Sequence, residues 1–278
     1  EVTFLCQAPQ TALHRKLLEN GRKLVLIDSH DNDRRDEAGC WFSEDQLIDA
    51  QACLTQLGTS MFDWIVVDHY LLGRVWEQRM RDVAGGILVI DDIPGRQHDC
   101  DILVDQTLSR TGDAYHRLVP QTCRVLAGTN FAILRPEFAA LRKASLERRA
   151  KAPHIEKVMI NFGATDAGNL TIPAFKAIRQ TSFNKRIIVV VGSIAPHLSE
   201  IRNLVEKDGC SELHCDAENM AELMAEADLC VGASGATTWE RSCLGLPSMV
   251  LCVAKNQHEI TREISAIGAA VTLESVSE

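Results

Sequence analysis

Short apolar runs rich in β-branched residues alternate along this chain with segments of helical period. Uninterrupted apolar runs are typical of strands buried on both faces, as in a parallel sheet covered by helices. In the first half, the predicted strands are Val2–Cys6, Leu24–Ile27, Trp64–Val67, Ile87–Ile90, Ile102–Val104 and Val125–Ala127. Helical segments at Thr11–Asn20 and Ser43–Leu57 lie between some of them, and each is followed by a glycine, which favours a helix end.

The alternation starts again in the second half of the chain. The predicted strands are Lys157–Phe162, Arg186–Val191, Glu212–Cys215, Leu229–Val231, Ser248–Val253 and Ala269–Leu273. The predicted helices are Asn169–Gln180, Ser199–Asp208, Asn219–Ala227, Thr238–Leu244 and Glu259–Ile267. Because strands and helices alternate in both halves, the sequence predicts two α/β domains with parallel sheets.

A charged segment from Arg135-Pro136 to Pro153 separates the two halves. It is typical of an exposed helix that leads into a linker, so the domain boundary is predicted near Pro153, with domains at 1–152 and 153–278. Two such domains facing one another across a central cleft would hold a ligand at the carboxyl ends of both sheets.

The composition excludes several classes of function. The 278 residues carry 29 basic and 38 acidic side chains, a net charge of −9, without a basic cluster interleaved with aromatics, which argues against a nucleic-acid surface. No apolar run approaches the roughly 20 residues that span a bilayer, so no membrane partner is expected. The ten cysteines lack C-x-x-C pairs and metal-ligand spacing, which favours a reducing compartment and a cytoplasmic protein. The oligomeric state is open, with a monomer favoured.

The motif Gly232-Ala-Ser-Gly-Ala-Thr-Thr-Trp-Glu240 follows a predicted strand and opens a helix. Small residues at such a turn let backbone N–H groups approach an anionic oxygen, and the start of a helix favours negative charge. Glu240 would then lie in the first helical turn, where its carboxylate can accept hydrogen bonds from both hydroxyls of a ribose. Thr237-x-x-Glu240 is also a capping box that needs no ligand, so the motif alone leaves both interpretations open.

Two further turns of small residues follow strands of the same half. Gly163-Ala-Thr-Asp-Ala-Gly-Asn169 comes after Phe162, and Gly192-Ser193 comes after Val191. Either turn alone is an ordinary strand–helix loop, with Asp166 or Asn169 as the helix N-cap. Three such turns after strands of one domain are expected to converge on one edge of its sheet.

Polar residues follow other predicted strands. They are Asp68-His69-Tyr70, Asp91-Asp92, His98-Asp99 and Asp101 in the first half, and Lys255-Asn256-Gln257 in the second. Asn256 and Gln257 could hydrogen-bond sugar hydroxyls or phosphate, or form a polar first turn of the next helix. An Asp/His metal site is conceivable in the first half, but solvated or capping roles are more common for such clusters, and no metal is predicted.

Three sets of residues together resemble one known family. They are Val67-Asp-His-Tyr70; Ile90-Asp-Asp92 with Arg96, His98, Cys100-Asp101 and Asp105-Gln106; and Gly232–Glu240 with Cys243-Leu-Gly-Leu-Pro247 and Lys255-Asn-Gln257. They closely resemble the UDP-2,4-diacetamido-2,4,6-trideoxy-β-L-altropyranose hydrolases of pseudaminic acid biosynthesis. The similarity continues through Leu118–Pro120, Leu134–Phe138, Asn161–Asn169 and Val191–Ser193, and so covers nearly the whole chain.

The resemblance implies a fold of two Rossmann-like domains, termed GT-B-like, and a UDP-sugar substrate. It also implies hydrolysis of the bond between the anomeric carbon and the UDP oxygen, with inversion and without a metal or other cofactor. By position, Glu240 matches a ribose-binding glutamate, while Tyr70 and Asn256 match an active-site tyrosine and asparagine. The residues that match the loops around UDP are Gly163, Asn169, Gly192, Ser193, Ser234, Gly235, Ala236, Thr237 and Gln257.

One family feature has no counterpart in the printed sequence. The catalytic histidine of the family lies in a G-x-G-H-x-x-R motif before the strand that matches Val2–Cys6, and His14 lies in a helical segment without that glycine turn. The carboxyl end is also short for a GT-B chain. The sequence is therefore expected to be an N-terminally truncated fragment with poor turnover. A UDP-sugar glycosyltransferase on the same fold and a UDP-binding module without catalysis remain alternatives.

Overall fold

The computed structural model describes residues 1–7, 12–28, 34–151, 154–254 and 257–273. The chain divides into two compact units, Glu1–Ala132 and Ile133–Glu278. Both are α/β units in which all strand pairs within the sheets are parallel. Within the described ranges, no helix has the length and apolar character needed to cross a membrane.

The first unit contains two parallel sheets. Its strands are β1 (Thr3–Gln7), β2 (Lys23–Ile27), β3 (Phe62–Val67), β4 (Ala84–Ile90), β5 (Ile102–Asp105) and β6 (Arg124–Ala127). Its helices are α1 (Ala12–Glu19), α2 (Ser43–Leu57) and α3 (Arg74–Met80). β1 pairs with β2, and the other four strands form a sheet in the order β3-β4-β5-β6. Polar residues that follow β3, β4 and β5 therefore share one edge of this second sheet.

The second unit contains one six-stranded sheet. Its helices are α4 (Pro136–Lys151), α5 (Thr171–Gln180), α6 (Leu198–Asp208), α7 (Met220–Glu226), α8 (Thr237–Cys243) and α9 (His258–Ala266). Its strands are β7 (Lys157–Asn161), β8 (Arg186–Val191), β9 (Ser211–Cys215), β10 (Leu229–Ala233), β11 (Ser248–Leu251) and β12 (Val271–Thr272). The order β12-β11-β10-β7-β8-β9 is that of a doubly wound Rossmann sheet. All its strands are parallel, and the order in which the chain adds strands reverses between β7 and β10.

The apolar runs of β7 and β8 supply core residues to both faces of this sheet. Met159 and Ile188 pack with residues of α4 and α7 on one face, whereas Ile160 and Val189 pack with residues of α5 and α6 on the other. All four side chains are fully buried. This two-sided burial is why the sequence shows uninterrupted apolar runs instead of alternation.

Helix α4 belongs to the second unit, so the boundary lies before it and not near Pro153 as the sequence predicted. Phe138 is fully buried in the core of that unit. Arg148 forms an ion pair with Asp228 (2.6 Å), and Arg149 donates hydrogen bonds to backbone carbonyls of the same unit, including that of Met224 (2.7 Å). The charges that made this helix look exposed are thus partly used in packing it.

We expect a fragment of residues 133–273 to unfold cooperatively and a fragment of residues 154–273 to lose most of that stability. Removing α4 uncovers the pocket of Phe138, and truncating a buried phenylalanine alone costs about 3–5 kcal/mol. Thermal unfolding followed by circular dichroism checks this. Equal melting temperatures for the two fragments would contradict the assignment of α4.

Candidate functional site

The three small-residue turns of the second unit lie at one edge of its sheet. Gly232 of β10 pairs with Asn161 of β7. The turns after these two strands, Gly163–Asn169 and Ser234–Ala236, therefore flank the point where the strand order reverses. Gly192-Ser193 follows β8, the other neighbour of β7. Ligands of open α/β sheets bind outside the carboxyl ends of the strands at such a point.

The Gly192 turn is joined to the turn after β7 by direct backbone contact. Gly192 N donates a hydrogen bond to Ala164 O (2.8 Å), and a Cβ atom on Gly192 would lie 2.5 Å from the same oxygen. The next residue, Ser193, is exposed, and its N–H donates to Asp216 Oδ1 (3.0 Å). Asp216 follows β9 and is held in turn by a hydrogen bond from its own N–H to Val191 O (3.1 Å). The sequence analysis did not identify Asp216.

The turn after β7 is shaped by left-handed backbone at Gly163 (φ 93°), Asp166 (φ 41°) and Asn169 (φ 49°). The Asp166 carboxylate accepts hydrogen bonds from Leu170 N (2.9 Å) and Thr171 N (3.1 Å). Asp166 therefore caps the first N–H groups of α5 from outside the helix, but the N-cap residue is Leu170, and not Asp166 or Asn169 as the ordinary-loop interpretation predicted. The side-chain oxygen of Asn169 is buried and accepts no hydrogen bond from the described residues.

The Thr237–Glu240 capping box is absent from the turn after β10. Helix α8 begins at Thr237, its N-cap residue Ala236 has helical backbone angles, and no side chain caps it. Thr238 N already donates to Gly235 O (2.9 Å). Because Thr237 lies inside the helix, it cannot serve as the N-cap that a capping box requires. The capping-box interpretation is thus wrong for this turn.

Glu240 lies in the first turn of α8 with a half-buried carboxylate. Among the described residues, this carboxylate accepts no hydrogen bond. Burial raises the pKa of Glu240, while the nearby guanidinium groups of Arg135 and Arg241 lower it. A half-buried acceptor without a donor is available to a ligand's hydroxyl groups.

Buried polar atoms without hydrogen-bond partners cluster at the same edge. Among the described residues, four such atoms lie at this edge, namely Ser234 Oγ, Asn161 Oδ1, Asn169 Oδ1 and Thr171 Oγ1, while others, such as Arg96 Nε, lie elsewhere. Asn161 uses its amide nitrogen, which donates to Val190 O (3.1 Å), so only its oxygen is unpaired. Buried polar atoms are normally paired, and each unpaired one costs about 1–3 kcal/mol. Their concentration here indicates a binding site that a polar molecule completes.

The space next to Gly235 is open. A Cβ atom there would meet nothing closer than Gln257 Nε2 at 3.6 Å, so Gln257 lies beside the turn. The side-chain oxygen of Gln257 accepts a hydrogen bond from Val253 N (3.1 Å). Asn256, the other predicted residue of this segment, lies outside the described residues.

In the first unit, the residues that follow β3 and β4 meet as predicted. Tyr70 Oη donates a hydrogen bond to Asp92 Oδ1 (2.9 Å), and the Arg96 guanidinium lies 5.1 Å from the centre of the Tyr70 ring. Tyr70 is 44% exposed, whereas Asp92 is half-buried. Burial raises the pKa of Asp92, and the hydrogen bond from Tyr70 opposes that shift. The pair presents a phenol oxygen and a carboxylate at the edge of the sheet.

Asp91 turns inward, unlike its neighbour Asp92. It forms an ion pair with Arg96, and its other oxygen lies 2.8 Å from His98 Nε2. His98 Nδ1 lies 2.6 Å from Glu77 Oε1, and all four groups are buried. Burial alone would lower the pKa of His98, but the hydrogen bonds to Asp91 and Glu77 outweigh it and raise the pKa to about 9. Arg96 connects this network to Tyr70, because its guanidinium also donates a hydrogen bond to Tyr70 O.

Four of the predicted Asp and His residues of the first unit thus form ion pairs, namely Asp91, His98, Asp99 and Asp101. Throughout the described part of the chain, no group of three or more His, Cys, Asp or Glu side chains is arranged to hold a metal ion.

Comparison with solved structures defines the class of fold. The chain matches Acinetobacter baumannii MurG with a TM-score of 0.60 at 16% identity, over 98% of this chain and 77% of that one. It matches a UDP-glucosyltransferase from Polygonum tinctorium with a TM-score of 0.60 at 10% identity, over 99% and 79% of the two chains. The chain therefore has the two-domain GT-B-like architecture that the resemblance implied.

Sequence comparison finds distant relatives. The chain is 25% identical over 211 residues to the UDP-2,4-diacetamido-2,4,6-trideoxy-β-L-altropyranose hydrolase of Campylobacter jejuni, a match that covers 76% of this chain and 73% of the relative. It is 27% identical over 165 residues to the spore coat polysaccharide biosynthesis protein SpsG of Bacillus subtilis, over 58% of this chain and 48% of the relative. The chain is a distant relative of the hydrolase family.

A third relative is an uncharacterized protein of Methanocaldococcus jannaschii, 32% identical over 268 residues. That match covers 95% of this chain but 50% of the relative, so the chain spans about half the length of this protein and of SpsG. No family model matches the chain.

We expect His98 to make folding stability depend on pH. Its pKa is about 9 in the folded protein and about 6.5 when unfolded, so its stabilising effect is complete below pH 6.5 and is lost as the pH rises through 9. The difference in unfolding free energy between the wild type and His98→Gln should shrink by roughly 3 kcal/mol from about pH 6 to about pH 10. Urea unfolding across this range checks it, and a difference that does not change with pH would be the contrary result.

Proposed function

We propose that this chain binds the UDP half of a UDP-sugar at the carboxyl edge of the second unit's sheet, where the strand order reverses between β7 and β10. The observation that carries the proposal is the cluster of unpartnered polar groups at that edge, namely the four buried atoms and the Glu240 carboxylate. They require hydrogen-bonding groups of both kinds from a ligand, and a nucleotide offers both. The Campylobacter jejuni relative is a UDP-sugar hydrolase, which supports the same ligand class.

The turn after β10 is proposed to receive the diphosphate. The backbone of Gly235 has open space beside it, since a Cβ atom there would meet only Gln257 Nε2. The first N–H groups of a helix also have no partner within the helix. Such N–H groups attract an anionic oxygen. Glu240, one helical turn further on, would accept hydrogen bonds from the ribose hydroxyls, and Ser193 and Asn169 would line the neighbouring part of the site.

The reaction that we propose is hydrolysis of a UDP-diacetamido-trideoxyhexose, with inversion, in the biosynthesis of a nonulosonic acid such as pseudaminic acid. Water attacks the anomeric carbon, the bond to the diphosphate oxygen breaks, and UDP leaves as an anion that the N–H groups of the turn stabilise. The family resemblance assigns the general base to a histidine motif that does not occur in the printed sequence. The roles proposed for these residues are therefore binding and orientation.

Tyr70 is proposed to orient the sugar or the attacking water. Tyr70 Oη donates a hydrogen bond to Asp92 Oδ1, which holds the phenol in place, and Tyr70 is 44% exposed, so a sugar or a water molecule can reach it. Asn256 remains a predicted partner in this step on the strength of the resemblance alone.

We expect Glu240→Gln to weaken UDP binding roughly 10- to 100-fold, because a charged hydrogen bond contributes about 1.5–3 kcal/mol. Isothermal titration calorimetry with UDP and 2′-deoxy-UDP checks this. The loss should be much smaller for 2′-deoxy-UDP, which lacks one of the two hydroxyls. Equal losses for both ligands would argue against a contact between Glu240 and the ribose.

We expect the protein that carries this sequence to release UDP and a free sugar from a UDP-diacetamido-trideoxyhexose with water as the only acceptor. Proton NMR during the reaction should show the free sugar first in the inverted anomeric form. Tyr70→Phe should lower turnover while UDP affinity stays unchanged, because the phenol acts on the sugar side. Sugar release only after addition of an acceptor would favour the transferase alternative, and UDP binding without any turnover would favour a binding module.

A further inference from the structure

Arg241 of α8 is one of the largest fully buried side chains among the described residues. Its Nη2 donates hydrogen bonds to Ala233 O (2.7 Å) and to Thr238 Oγ1 (3.2 Å), and its Nη1 lies 3.7 Å from Cys230 Sγ. Ala233 is the last residue of β10, and Thr238 is in the first turn of α8. The guanidinium therefore bridges the two ends of the turn at residues 234–237.

No carboxylate in the described part of the chain forms an ion pair with Arg241, which is unusual for a buried charge. The buried Arg96 of the first unit, by contrast, pairs with Asp91. The Arg241 charge acts at a distance on Glu240, where it lowers the pKa of that carboxyl against the effect of burial. A buried cation without a direct partner leaves positive potential beneath the turn.

Gly232 makes room for this guanidinium. A Cβ atom on Gly232 would lie 3.0 Å from Arg241 Nη1 and 2.2 Å from Asn161 O. The glycine is thus required by the packing of β10 against β7 and against the arginine, whereas Gly235 is bounded only by Gln257. Gly232 and Arg241 thus contact each other at the start of the turn. Ser234, whose buried Oγ has no hydrogen-bond partner, is the first residue of that turn.

We propose that Arg241 is a positioning residue for phosphate recognition, which holds the 234–237 turn in its binding shape and supplies positive potential beneath it. This inference rests on the proposed UDP site and adds to it a residue that does not need to touch the ligand. The expected effect of losing Arg241 differs between the two parts of the ligand. Loss of Arg241 should weaken the binding of the diphosphate far more than that of the nucleoside, which depends on Glu240.

The test uses Arg241→Met and Arg241→Lys, with Arg149→Met as the matched control. Arg149 also donates hydrogen bonds to backbone carbonyls of the second unit, those of Met224, Ala227 and Leu244, but contacts no part of the turn. The affinities for uridine, UMP and UDP are measured by calorimetry, and the melting temperature of each variant is recorded. The measured quantity is the ratio of UDP affinity to uridine affinity.

We expect Arg241→Met to lower this ratio at least tenfold while uridine affinity changes less than twofold. Arg241→Lys should also lower the ratio, by a smaller factor, because an ammonium keeps the charge but lacks the planar fork that bridges two acceptors. It serves as the decisive variant if the methionine variant does not fold. Arg149→Met should lower the melting temperature and leave the ratio unchanged.

The outcomes separate the two proposals. A ratio that stays at the wild-type value in both Arg241 variants, or falls equally in Arg149→Met, would overturn the role of Arg241 and leave the UDP site intact. A wild-type protein that binds none of the three ligands would overturn the proposed UDP site and this inference with it.

Discussion

The pairing of β7 with both β8 and β10 determines where the rest of the site lies. The strand order reverses between β7 and β10, so the helices that follow these two strands pack on opposite faces of the sheet. The carboxyl edge between the two helices therefore forms a crevice. The Gly163–Asn169 turn, the Ser234–Ala236 turn and the Gly192 turn that touches the first all lie along that edge. The glycines that permit this closeness are those that face backbone, such as Gly192 against Ala164 O and Gly232 against Asn161 O.

At the carboxyl edge of each unit's sheet, residues that are neighbours in the sequence have different roles. Asp166 and Asn169 belong to the same turn, yet Asp166 uses its carboxylate to cap α5, while Asn169 keeps a buried oxygen unpaired. Asp91 and Asp92 differ in the same way, since Asp91 joins a buried ion-pair network and Asp92 accepts a hydrogen bond from Tyr70. In each pair, one side chain fixes the local backbone and leaves the other available to a ligand.

Much of this arrangement could be predicted from the sequence. Runs such as Arg186–Val191 are apolar throughout because both faces are buried, and that pattern directly indicates a parallel strand. The convergence of the turns followed from strand direction alone.

Helix α4 was misplaced because arginines that hydrogen-bond to backbone carbonyls look the same in a sequence as solvated ones. The capping box failed because one residue of shift in a helix start changes the role of Thr237, and local sequence does not fix that shift. Arg241 and Asp216 carry no motif, since their roles come only from tertiary contacts.

The central claim is that a uridine nucleotide completes the unpaired polar groups at the β7–β10 edge. A crystal structure of the protein with UDP bound tests it most directly. The account predicts the diphosphate against the N–H groups of residues 235–237, a ribose hydroxyl within hydrogen-bond distance of Glu240, and partners for Ser234 Oγ and Asn169 Oδ1. UDP bound away from this edge, or bound here with Glu240 still lacking a hydrogen bond, would contradict the account.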